Sequence, residues 1–311
     1  MNRPRVCVVG ASNIDLISYV PRLPALGETL HGSRFNTGFG GKGANQAVMA
    51  AKLGADVVIV TKVGRDDFGD RTVDNFRRLG VDVGQVSRTD QASTGVAPIF
   101  VDPAGNNAIV IVTGANDLLD AGDIDAARQA MRDAGVVICQ LEIPVAVTAA
   151  ALRSARSEGT VTILNPAPAR DDLTDELLAD CDVLCPNQTE AALLTGRRIE
   201  TIDDALAAAR DLLGRGPKAV VVTLGSDGCV VADQGGVDHM AGVSVEAVDS
   251  TGAGDAFVGA LGYYLARGER LREATGWANR IAALSVQQPG TQTSYPDRSQ
   301  LPSEVLASLD G

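Results

Sequence analysis

Short apolar runs rich in β-branched residues alternate along the chain with longer segments of helical periodicity. The runs predict strands at Val6–Gly10, Val57–Val63, Val136–Leu141, Val161–Leu164, Val183–Cys185, Ala219–Leu224 and Cys229–Ala232. Most are apolar at nearly every position, which is typical of strands covered on both faces. The segments between them predict helices at Ala44–Leu53, Asp67–Leu79, Ile124–Asp133, Val147–Ser157, Ile202–Leu213, Asp255–Ala266 and Leu271–Val286. This alternation predicts an α/β fold with a doubly wound, mainly parallel sheet flanked by helices.

Two segments depart from this alternation. Residues 14–39 are rich in Pro and Gly, and residues 94–113 predict a hairpin of Gly95–Val101 and Ala108–Val112. A hairpin does not fit into a parallel sheet without a crossover connection. We therefore expect 14–39 and 94–113 to form a small separate β-sheet, which would serve as a lid and a dimerisation clasp. The α/β core would then comprise 1–13, 40–93 and 114–311.

The length, charge and hydropathy of the chain limit the number of domains and the kinds of partner that we expect. The chain of 311 residues is close to the upper limit of about 250–300 residues for one hydrophobic core. Its 39 acidic and 27 basic residues give a net charge of −12, which argues against nucleic acid and anionic membranes as partners. No apolar run approaches the ~18 residues of a membrane span, and Val6–Val9 is too short for a signal segment. We expect a cytoplasmic protein.

The cysteines indicate thiols rather than disulfides or zinc ligands. There are five of them, mostly within apolar runs, which favours buried thiols in a reducing compartment. Cys181 and Cys185 have no His or Cys pair nearby, which argues against zinc. With only two histidines in the chain, a His-rich metal site is excluded.

A glycine-rich segment with the sequence Asp-Ser-Thr-Gly-Ala-Gly-Asp occupies residues 249–255, before a strongly predicted helix. Gly252 and Gly254 leave backbone N–H groups uncovered at the helix N-terminus, which together with the helix dipole can bind an anion. Asp255 lies in the same first turn, where an ordinary N-cap is the alternative interpretation. The two glycines favour a carboxylate beside an anion cradle, an arrangement that suits phosphoryl transfer to a hydroxyl.

A second glycine cluster lies at residues 38–45. It matches the spacing G-x-G-x-x-G but follows no apolar strand, so we do not expect it to close a strand-to-helix turn, which a dinucleotide site requires. Lys42 is followed by Gly, so the segment is not a Walker A loop; Lys42 and Asn45 instead offer polar groups to a ligand. Asn13 and Asp15 follow the first strand, where open α/β sheets bind ligands. They suit vicinal sugar hydroxyls, although polar turn residues are the alternative.

Three further features follow predicted strands. Asn187 and Glu190 suit Mg²⁺ and phosphate contacts made through water, but a helix N-cap with Glu at its third position explains them equally well. The segment Thr-Leu-Gly-Ser-Asp-Gly at 223–228 joins two strands, and a simple turn would account for it. Glu142 places a charge at the end of a buried strand, which marks it as a candidate functional residue.

Taken together and in this order, these motifs resemble those of the ribokinase-type family of sugar and nucleoside kinases. The resemblance runs from about residue 5 to about residue 300 and includes Gly-Gly-Lys-Gly-Ala-Asn-Gln-Ala at 40–47, Asn-Pro-Ala-Pro-Ala-Arg at 165–170 and Gly-Thr-Gln-Thr-Ser-Tyr-Pro at 290–296. It implies ATP-dependent phosphorylation of D-ribose at the 5-hydroxyl to give D-ribose 5-phosphate and ADP. It also implies Mg²⁺ with ATP, K⁺ as an activator, and a homodimer formed through the lid sheet.

The resemblance also implies a role for each matching residue. Asp255 would be the general base, and the anion hole would be formed by Gly252, Ala253 and Gly254. Ribose would be held by Asn13, Asp15, Gly41, Lys42, Asn45, Glu142 and Asp255. ATP would be held by Asn187, Thr223, Gly225, Ser226, Gly228, Gly254 and Asn279. Glu190 would organise Mg²⁺ through water, and K⁺ would be bound by Asp249, Thr251, Ser285, Gln288, Gly290 and Ser294.

Other functions remain as alternatives. A kinase of the same fold could act on another pentose, on deoxyribose or on a nucleoside, although an aromatic content of 4% offers little for a base pocket. A non-catalytic sugar sensor is disfavoured because the Gly-Ala-Gly-Asp segment is intact. A dinucleotide-dependent oxidoreductase is disfavoured by the position of the glycine loop at 38–45.

Overall fold

The chain forms a central sheet of ten strands and a separate sheet of four strands in the computed structural model, which describes residues 3–310. The strands are β1 (Arg5–Val9), β2 (Asn13–Tyr19), β3 (Arg34–Gly40), β4 (Asp56–Gly64), β5 (Val81–Asp82), β6 (Val86–Thr89), β7 (Gly95–Val101), β8 (Asn107–Ile109), β9 (Val136–Cys139), β10 (Val161–Leu164), β11 (Val183–Leu184), β12 (Ala219–Thr223), β13 (Cys229–Asp233) and β14 (Gly236–Met240). The α-helices are α1 (Lys42–Leu53), α2 (Asp67–Arg78), α3 (Ala121–Ala126), α4 (Arg128–Asp133), α5 (Val145–Ser157), α6 (Asp175–Ala179), α7 (Gln188–Thr195), α8 (Ile202–Leu213), α9 (Ala253–Ala266), α10 (Leu271–Ser285) and α11 (Ser303–Asp310).

The central sheet is mainly parallel and is covered by helices on both faces, which confirms the predicted fold class. Its strands run in the order β14-β13-β12-β11-β10-β9-β1-β4-β5, with β6 also paired to β4. In the described part of the chain, the antiparallel pairings of this sheet are only those of β13 with β12 and with β14. Apolar residues of α1, α2, α9, α10 and α11 pack on one face, and those of α3–α8 pack on the other. Strands buried on both faces explain the near-continuous apolar runs.

The carboxyl ends of the parallel strands bring the polar candidates to one edge of the sheet. Asn13 comes shortly after β1, Glu142 after β9 and Asn187 after β11, and Thr223 ends β12. Because these four strands are parallel, their carboxyl ends lie at the same edge, where ligands of open α/β sheets bind.

The small sheet is formed by strands that lie largely within 14–39 and 94–113, the two segments that depart from the alternation of strands and helices. Its strand order is β3-β2-β7-β8, with β2 antiparallel to β3 and parallel to β7. The last strand is shorter than predicted, because the pairing at Val110 breaks after one hydrogen bond to the carbonyl of Pro98. Pro98 has no N–H to return a bond, so the ladder is interrupted before the isolated bridge between Val96 and Val112.

The glycine loop at 38–45 closes a strand-to-helix turn, contrary to our expectation. β3 ends at Gly40, and α1 begins at Lys42 with Gly41 as its N-cap. No apolar pattern marks β3, because this strand is largely exposed and belongs to the small sheet. Since β3 is an antiparallel strand of that sheet rather than a buried parallel one, the arrangement still differs from a dinucleotide-binding turn.

Other elements also differ from the prediction. The helix expected at Ile124–Asp133 is divided into α3 and α4 at Ala127, and it begins earlier because Asp120 and Asp123 form a capping box. Strands β5, β6 and β14 and helices α6, α7 and α11 were not predicted. The five cysteines are buried and unbridged. Within residues 3–310, no helix combines the length and the apolar character needed to cross a bilayer.

Candidate active site

Asp255 is held in the first turn of α9 by two amide side chains from α1. Its Oδ2 accepts a hydrogen bond from Asn45 Nδ2 and its Oδ1 accepts one from Gln46 Nε2, each 2.9 Å long. The N-cap of α9 is Gly252, which has no side-chain cap. Asp255 is therefore not the ordinary cap that its position allowed. It is a nearly buried carboxylate oriented by a neighbouring helix.

The backbone before Asp255 is shaped by Gly252. This residue has a φ of +78°, and its carbonyl accepts a hydrogen bond from the Tyr295 hydroxyl at 3.0 Å. A Cβ at position 252 would lie 2.5 Å from Thr291 Cγ2, whereas a Cβ at Gly254 would meet no atom within 4 Å. The N–H groups of a first helical turn lack partners within the helix. Open space beside Gly254 therefore gives an anion access to this turn, in which the N–H of Ala253 already donates to the carbonyl of Ser250 at 3.2 Å.

Carboxylates surround a single lysine at this end of the sheet. The backbone N–H of Lys42 donates to Glu142 Oε2 at 2.8 Å. Burial acts to lower the pKa of the Lys42 ammonium, but the charges of Asp255, Glu142 and Glu190 outweigh this effect and raise it. Lys42 is therefore a permanent cation within electrostatic reach of three acidic groups.

Asp15 is the fourth acidic group of this cluster. Burial raises the pKa of Asp15 to about 6, and the charges of Glu142 and Asp255 add to the effect. Its carboxylate lies against Gly40, where a Cβ would approach Asp15 Oδ1 to 2.4 Å. Burial likewise raises the pKa of Glu142, with Lys42 opposing the shift. The structure thus brings Asp15, Lys42, Glu142 and Asp255 together, as the prediction of a sugar site requires.

Asn13 lies beside this cluster but already has a protein partner. Its Oδ1 accepts a hydrogen bond of 2.8 Å from Asn116 Nδ2, and the residue is buried at the start of β2. This contact orients the side chain, so that the amide oxygen faces Asn116. Gly41 lies close to the same turn, where its Cβ would approach the carbonyl oxygen of Ala11 to 2.7 Å.

The residues predicted to hold a nucleotide surround one end of β12 and β13. Asn187 and Thr223 form a parallel bridge, and Gly225 and Ser226 lie in the short turn that precedes β13. Gly228 follows them with a φ of +89°. Asn279 of α10 reaches the same region, where its Nδ2 donates to the carbonyl of Ala241 at 2.9 Å.

Asn187 and Glu190 form the N-terminal capping box of α7. Glu190 N donates to Asn187 Oδ1 at 2.8 Å, and Asn187 N donates to Glu190 Oε2 at 2.8 Å. The structural alternative recognised in the sequence is therefore present. Burial raises the pKa of the Glu190 carboxyl to about 7, although the N–H of Asn187 and the charge of Lys42 oppose the shift.

Asp249 links the two segments that were predicted to bind a monovalent cation. Its Oδ1 accepts the N–H of Thr251 and its Oδ2 the N–H of Gly290, both at 2.9 Å. Burial would raise the pKa of Asp249, but hydrogen bonds from the Thr251 side chain and from these two N–H groups outweigh it and lower the pKa. Ser285 and Ser294 are buried near these segments with their hydroxyls on backbone carbonyls, and Gln288 is exposed.

Several buried amide side chains lie behind Asp255. None of them was assigned a role from the sequence. Gln292 Nε2 donates to Asn45 Oδ1 at 3.1 Å, and Gln292 Oε1 accepts from Asn75 Nδ2 at 3.0 Å. Gln46 adjoins Asn45 and is fully buried. A glutamine among the apolar residues of a helix was the only available signal, because the partners of Gln46 lie more than 90 residues away along the chain.

Comparison with known sequences identifies the family. Residues 3–298 match the sequence profile of the pfkB family carbohydrate kinases. The chain belongs to the pfkB family. A ribokinase of Mus musculus is 46% identical over 301 residues, which cover 96% of this chain and 93% of the relative. A deoxyribokinase of Salmonella typhi is 39% identical over 295 residues, which cover 95% of this chain and 96% of the relative.

Solved structures agree with the assignment to the pfkB family. The structure described as Arabidopsis thaliana ribokinase complexed with ribose and ATP superposes with a TM-score of 0.89 at 32% identity, and the match covers 100% of both chains. The ribokinase of Thermotoga maritima gives a TM-score of 0.87 at 34% identity over 98% of this chain and 99% of that one. The chain therefore has the ribokinase-like fold, and the sequence-based resemblance to this family is confirmed.

Proposed function

We propose that this pfkB-family enzyme transfers the γ-phosphoryl group of ATP to the 5-hydroxyl of D-ribose, giving D-ribose 5-phosphate and ADP. The observation that carries the proposal is the Asp255 carboxylate, fixed by Asn45 and Gln46 beside the N-terminal turn of α9. The similarity to the ribokinase of Mus musculus and to the Arabidopsis thaliana structure with ribose and ATP supports the choice of substrates.

The proposed chemistry uses Asp255 as the proton acceptor. As the 5-oxygen bonds to the γ-phosphorus, the bond from phosphorus to the β,γ-bridging oxygen breaks, and the hydroxyl proton passes to the Asp255 carboxylate. The N–H groups of Gly252 and Gly254, and that of Ala253 once it exchanges the carbonyl of Ser250 for phosphate, stabilise the negative charge of the phosphoryl oxygens. A loose phosphoryl-transfer transition state depends mainly on positioning and charge stabilisation, so an ordinary carboxylate suffices as the base.

Sugar recognition is assigned to the polar cluster at the same edge. Asp15 and Glu142 offer acceptors, and Lys42 and Asn13 offer donors, for the hydroxyls of ribose. Gly41 and Asn45 complete the proposed set near the start of α1. The second candidate substrate is deoxyribose, which the similarity to the Salmonella typhi deoxyribokinase favours. The two sugars differ only at the 2-hydroxyl, so recognition of that group decides between them.

The residues proposed for ATP and its metal fit their ligands chemically. Asn187, Thr223, Gly225, Ser226, Gly228 and Asn279 offer hydrogen-bonding groups around one open end of the sheet. Glu190 uses its oxygens on Asn187, yet each retains lone pairs that can accept from water on Mg²⁺. The bound Mg²⁺ would neutralise phosphate charge, which a chain of net charge −12 cannot do through its surface.

The loop set also suits an alkali cation. Carbonyl, hydroxyl and carboxylate oxygens are the ligands such an ion takes, and Asp249 keeps lone pairs beyond its bonds to Thr251 and Gly290. We propose K⁺ here, held together with Ser285, Gln288 and Ser294. Because Thr251 adjoins Gly252, the ion would fix the backbone of the anion hole.

An ADP-release assay tests the proposed function. Pentoses, 2-deoxyribose and nucleosides would be offered with Mg²⁺ and ATP, with and without K⁺. We expect the highest kcat/KM for D-ribose and a lower rate without K⁺. A higher kcat/KM for 2-deoxyribose would identify deoxyribose as the preferred substrate instead of ribose. Turnover with none of these acceptors would overturn the proposal.

The affinity for sugar is expected to depend on pH through Asp15. Its pKa of about 6 lies above the ordinary value, so the carboxylate is present above pH 6 and is lost as the pH falls through that value. The KM for ribose should rise between pH 7 and pH 5. In an Asp15→Asn variant the KM should be higher and should rise less over this window, because Glu142, whose pKa is also raised, remains. Equal slopes in both proteins would contradict the role given to Asp15.

The small sheet is proposed as a lid and as a dimer interface. It carries Asp15 on β2, and its exposed apolar residues include Phe35 at 60% and Val110 at 59% exposure. Exposed apolar surface of this kind marks an interaction site. We expect a dimer by analytical ultracentrifugation and a shift to monomer on Val110→Glu. Leu193→Glu, at an exposed position on α7, serves as the control, and an unchanged dimer in both variants would exclude this face.

A further inference from the structure

Gln46 contacts Asp255 from the protein interior, where no substrate can reach it. The side chain is fully buried, and its Nε2 donates both to Asp255 Oδ1 at 2.9 Å and to Asn165 Oδ1 at 3.1 Å. Both hydrogens of the amide nitrogen are therefore used. Asn45, by contrast, contacts the other carboxylate oxygen and belongs to the proposed sugar site.

The orientation of the Gln46 amide is determined by its partners. Asn165 Nδ2 donates to the carbonyl of Cys185 at 2.9 Å, which directs Asn165 Oδ1 towards Gln46. Gln140 Nε2 donates to Gln46 Oε1. A flipped Gln46 amide would place its oxygen against two acceptors and its nitrogen against a donor. The Gln46 amide is therefore held in this orientation, because its flip would leave these buried polar groups unpaired.

We propose that Gln46 is a positioning residue that sets the plane of the Asp255 carboxylate for the acceptor hydroxyl. A carboxylate has about four lone-pair sites, and the bonds from Asn45 and Gln46 occupy one on each oxygen. The remaining lone pairs are thereby fixed in direction. The proposal rests on the proposed function, in which Asp255 accepts the proton of the sugar hydroxyl.

The geometry predicts how catalysis fails without this contact. Loss of the Gln46 bond frees the carboxylate to rotate about the bond from Asn45, which misaligns the base without removing it. Misplacement of a catalytic group by about 1 Å can cost about 100-fold in rate. Since Gln46 is fully buried and belongs to neither the proposed sugar set nor the proposed nucleotide set, the loss should appear in kcat while both KM values stay nearly constant.

The test compares Gln46→Met with Gln140→Met in steady-state assays. Methionine conserves most of the volume and removes the hydrogen bonds. We expect Gln46→Met to lower kcat by about 10- to 100-fold with sugar and ATP KM values within about threefold. Gln140 is equally buried and lies one bond further from Asp255. Gln140→Met should lower kcat much less, and an equal kcat loss in both variants would overturn the proposal.

A second variant, Gln46→Glu, tests the contact through pH. A glutamate here would share one proton with Asp255, since two carboxylates in contact do not both ionise readily. The acidic limb of the kcat profile should move upward by about one pH unit or more. The other groups that interact with the Asp255 charge are Asp15, Lys42, Glu142, Glu190 and Tyr295, which are the same in both proteins. An unshifted limb would refute the positioning role even if Gln46→Met fails to fold.

Asp255→Asn, measured in parallel, separates this proposal from the proposed function. If Asp255→Asn is inactive while Gln46→Met turns over normally, only the role of Gln46 fails. If Asp255→Asn retains normal turnover, the proton acceptor itself is wrong, and the role of Gln46 fails with it.

Discussion

Replacement of Asp255 by Asn is expected to lower kcat by about 10²- to 10⁴-fold, the usual contribution of a general base. The amide cannot accept the hydroxyl proton, and no other carboxylate shares the contacts of Asp255 with Asn45 and Gln46 among residues 3–310. The KM for ATP should remain within a few-fold, because the proposed nucleotide residues lie around β12 and β13. Steady-state kinetics with varied ATP and varied ribose would measure both effects.

Asp204→Asn provides a matched control for that variant. Asp204 occupies the third position of α8, as Asp255 does in α9, but it completes an ordinary capping box with Thr201 on an exposed surface. We expect it to change stability slightly and leave kcat near the wild-type value. If Asp255→Asn kept a near-normal kcat, Asp255 would not be the base. If both variants lost activity together, the effect would come from the fold rather than from chemistry.

The elements predicted correctly from the sequence are mostly the buried ones. The run Val161–Leu164 and the helix Ile202–Leu213 match their predicted bounds, because covered strands and amphipathic helices leave clear apolar patterns. The bounds of β3 were not predicted within 14–39 because this strand is exposed, and α6 was missed because it is a short helix of five residues. A capping box was one of two interpretations of the residues that begin the helix at Gln188–Thr195. The other interpretation was a metal site, so the helix itself was not predicted.

The candidate site was predictable where residues are close in sequence. The glycine-rich segment with Gly252 and Asp255 predicted an anion cradle at a helix N-terminus. The structure places Asp255 in the first turn of α9. The contact of Asp255 with Gln46 spans 209 positions along the chain, so no local pattern could reveal it. The same holds for Gln292, which lies 247 positions from Asn45 and donates to its side chain. Only the packing of α1 against α9 and the loop at 286–297 brings these amides together.

The net charge of the chain also does not show how the proposed site would bind phosphate. The net charge of −12 suggested a chain that avoids anions, yet the proposed ligand carries a polyphosphate. Lys42 is the cation of a cluster that is otherwise acidic, and Asp249 ties the backbone next to the anion cradle. Phosphate binding would therefore depend on backbone N–H groups and bound cations, which a count of charged side chains does not register.

Replacement of Gly252 by Ala is expected to lower kcat by about 100-fold or more, as the loss of an oxyanion donor does elsewhere. The φ of +78° costs a residue with a side chain about 1–3 kcal/mol. The new Cβ would also lie 2.5 Å from Thr291 Cγ2 and 2.9 Å from the Tyr295 hydroxyl oxygen. Relief of these contacts must shift the backbone that carries the N–H groups of Ala253 and Gly254. Kinetics and thermal unfolding of the same preparation would measure both consequences.

Gly268→Ala separates the strain from the damage to the cradle. Gly268 follows the opposite end of α9 with a φ of +87°, and a Cβ there would meet no atom within 4 Å. This variant should suffer a comparable backbone penalty and keep a kcat close to wild type. An equal loss of kcat in both variants would mean that the stability of α9 limits turnover. A loss confined to Gly252→Ala would locate the effect at the first turn, because that is the only end of the helix where Asp255 and the proposed phosphoryl group meet.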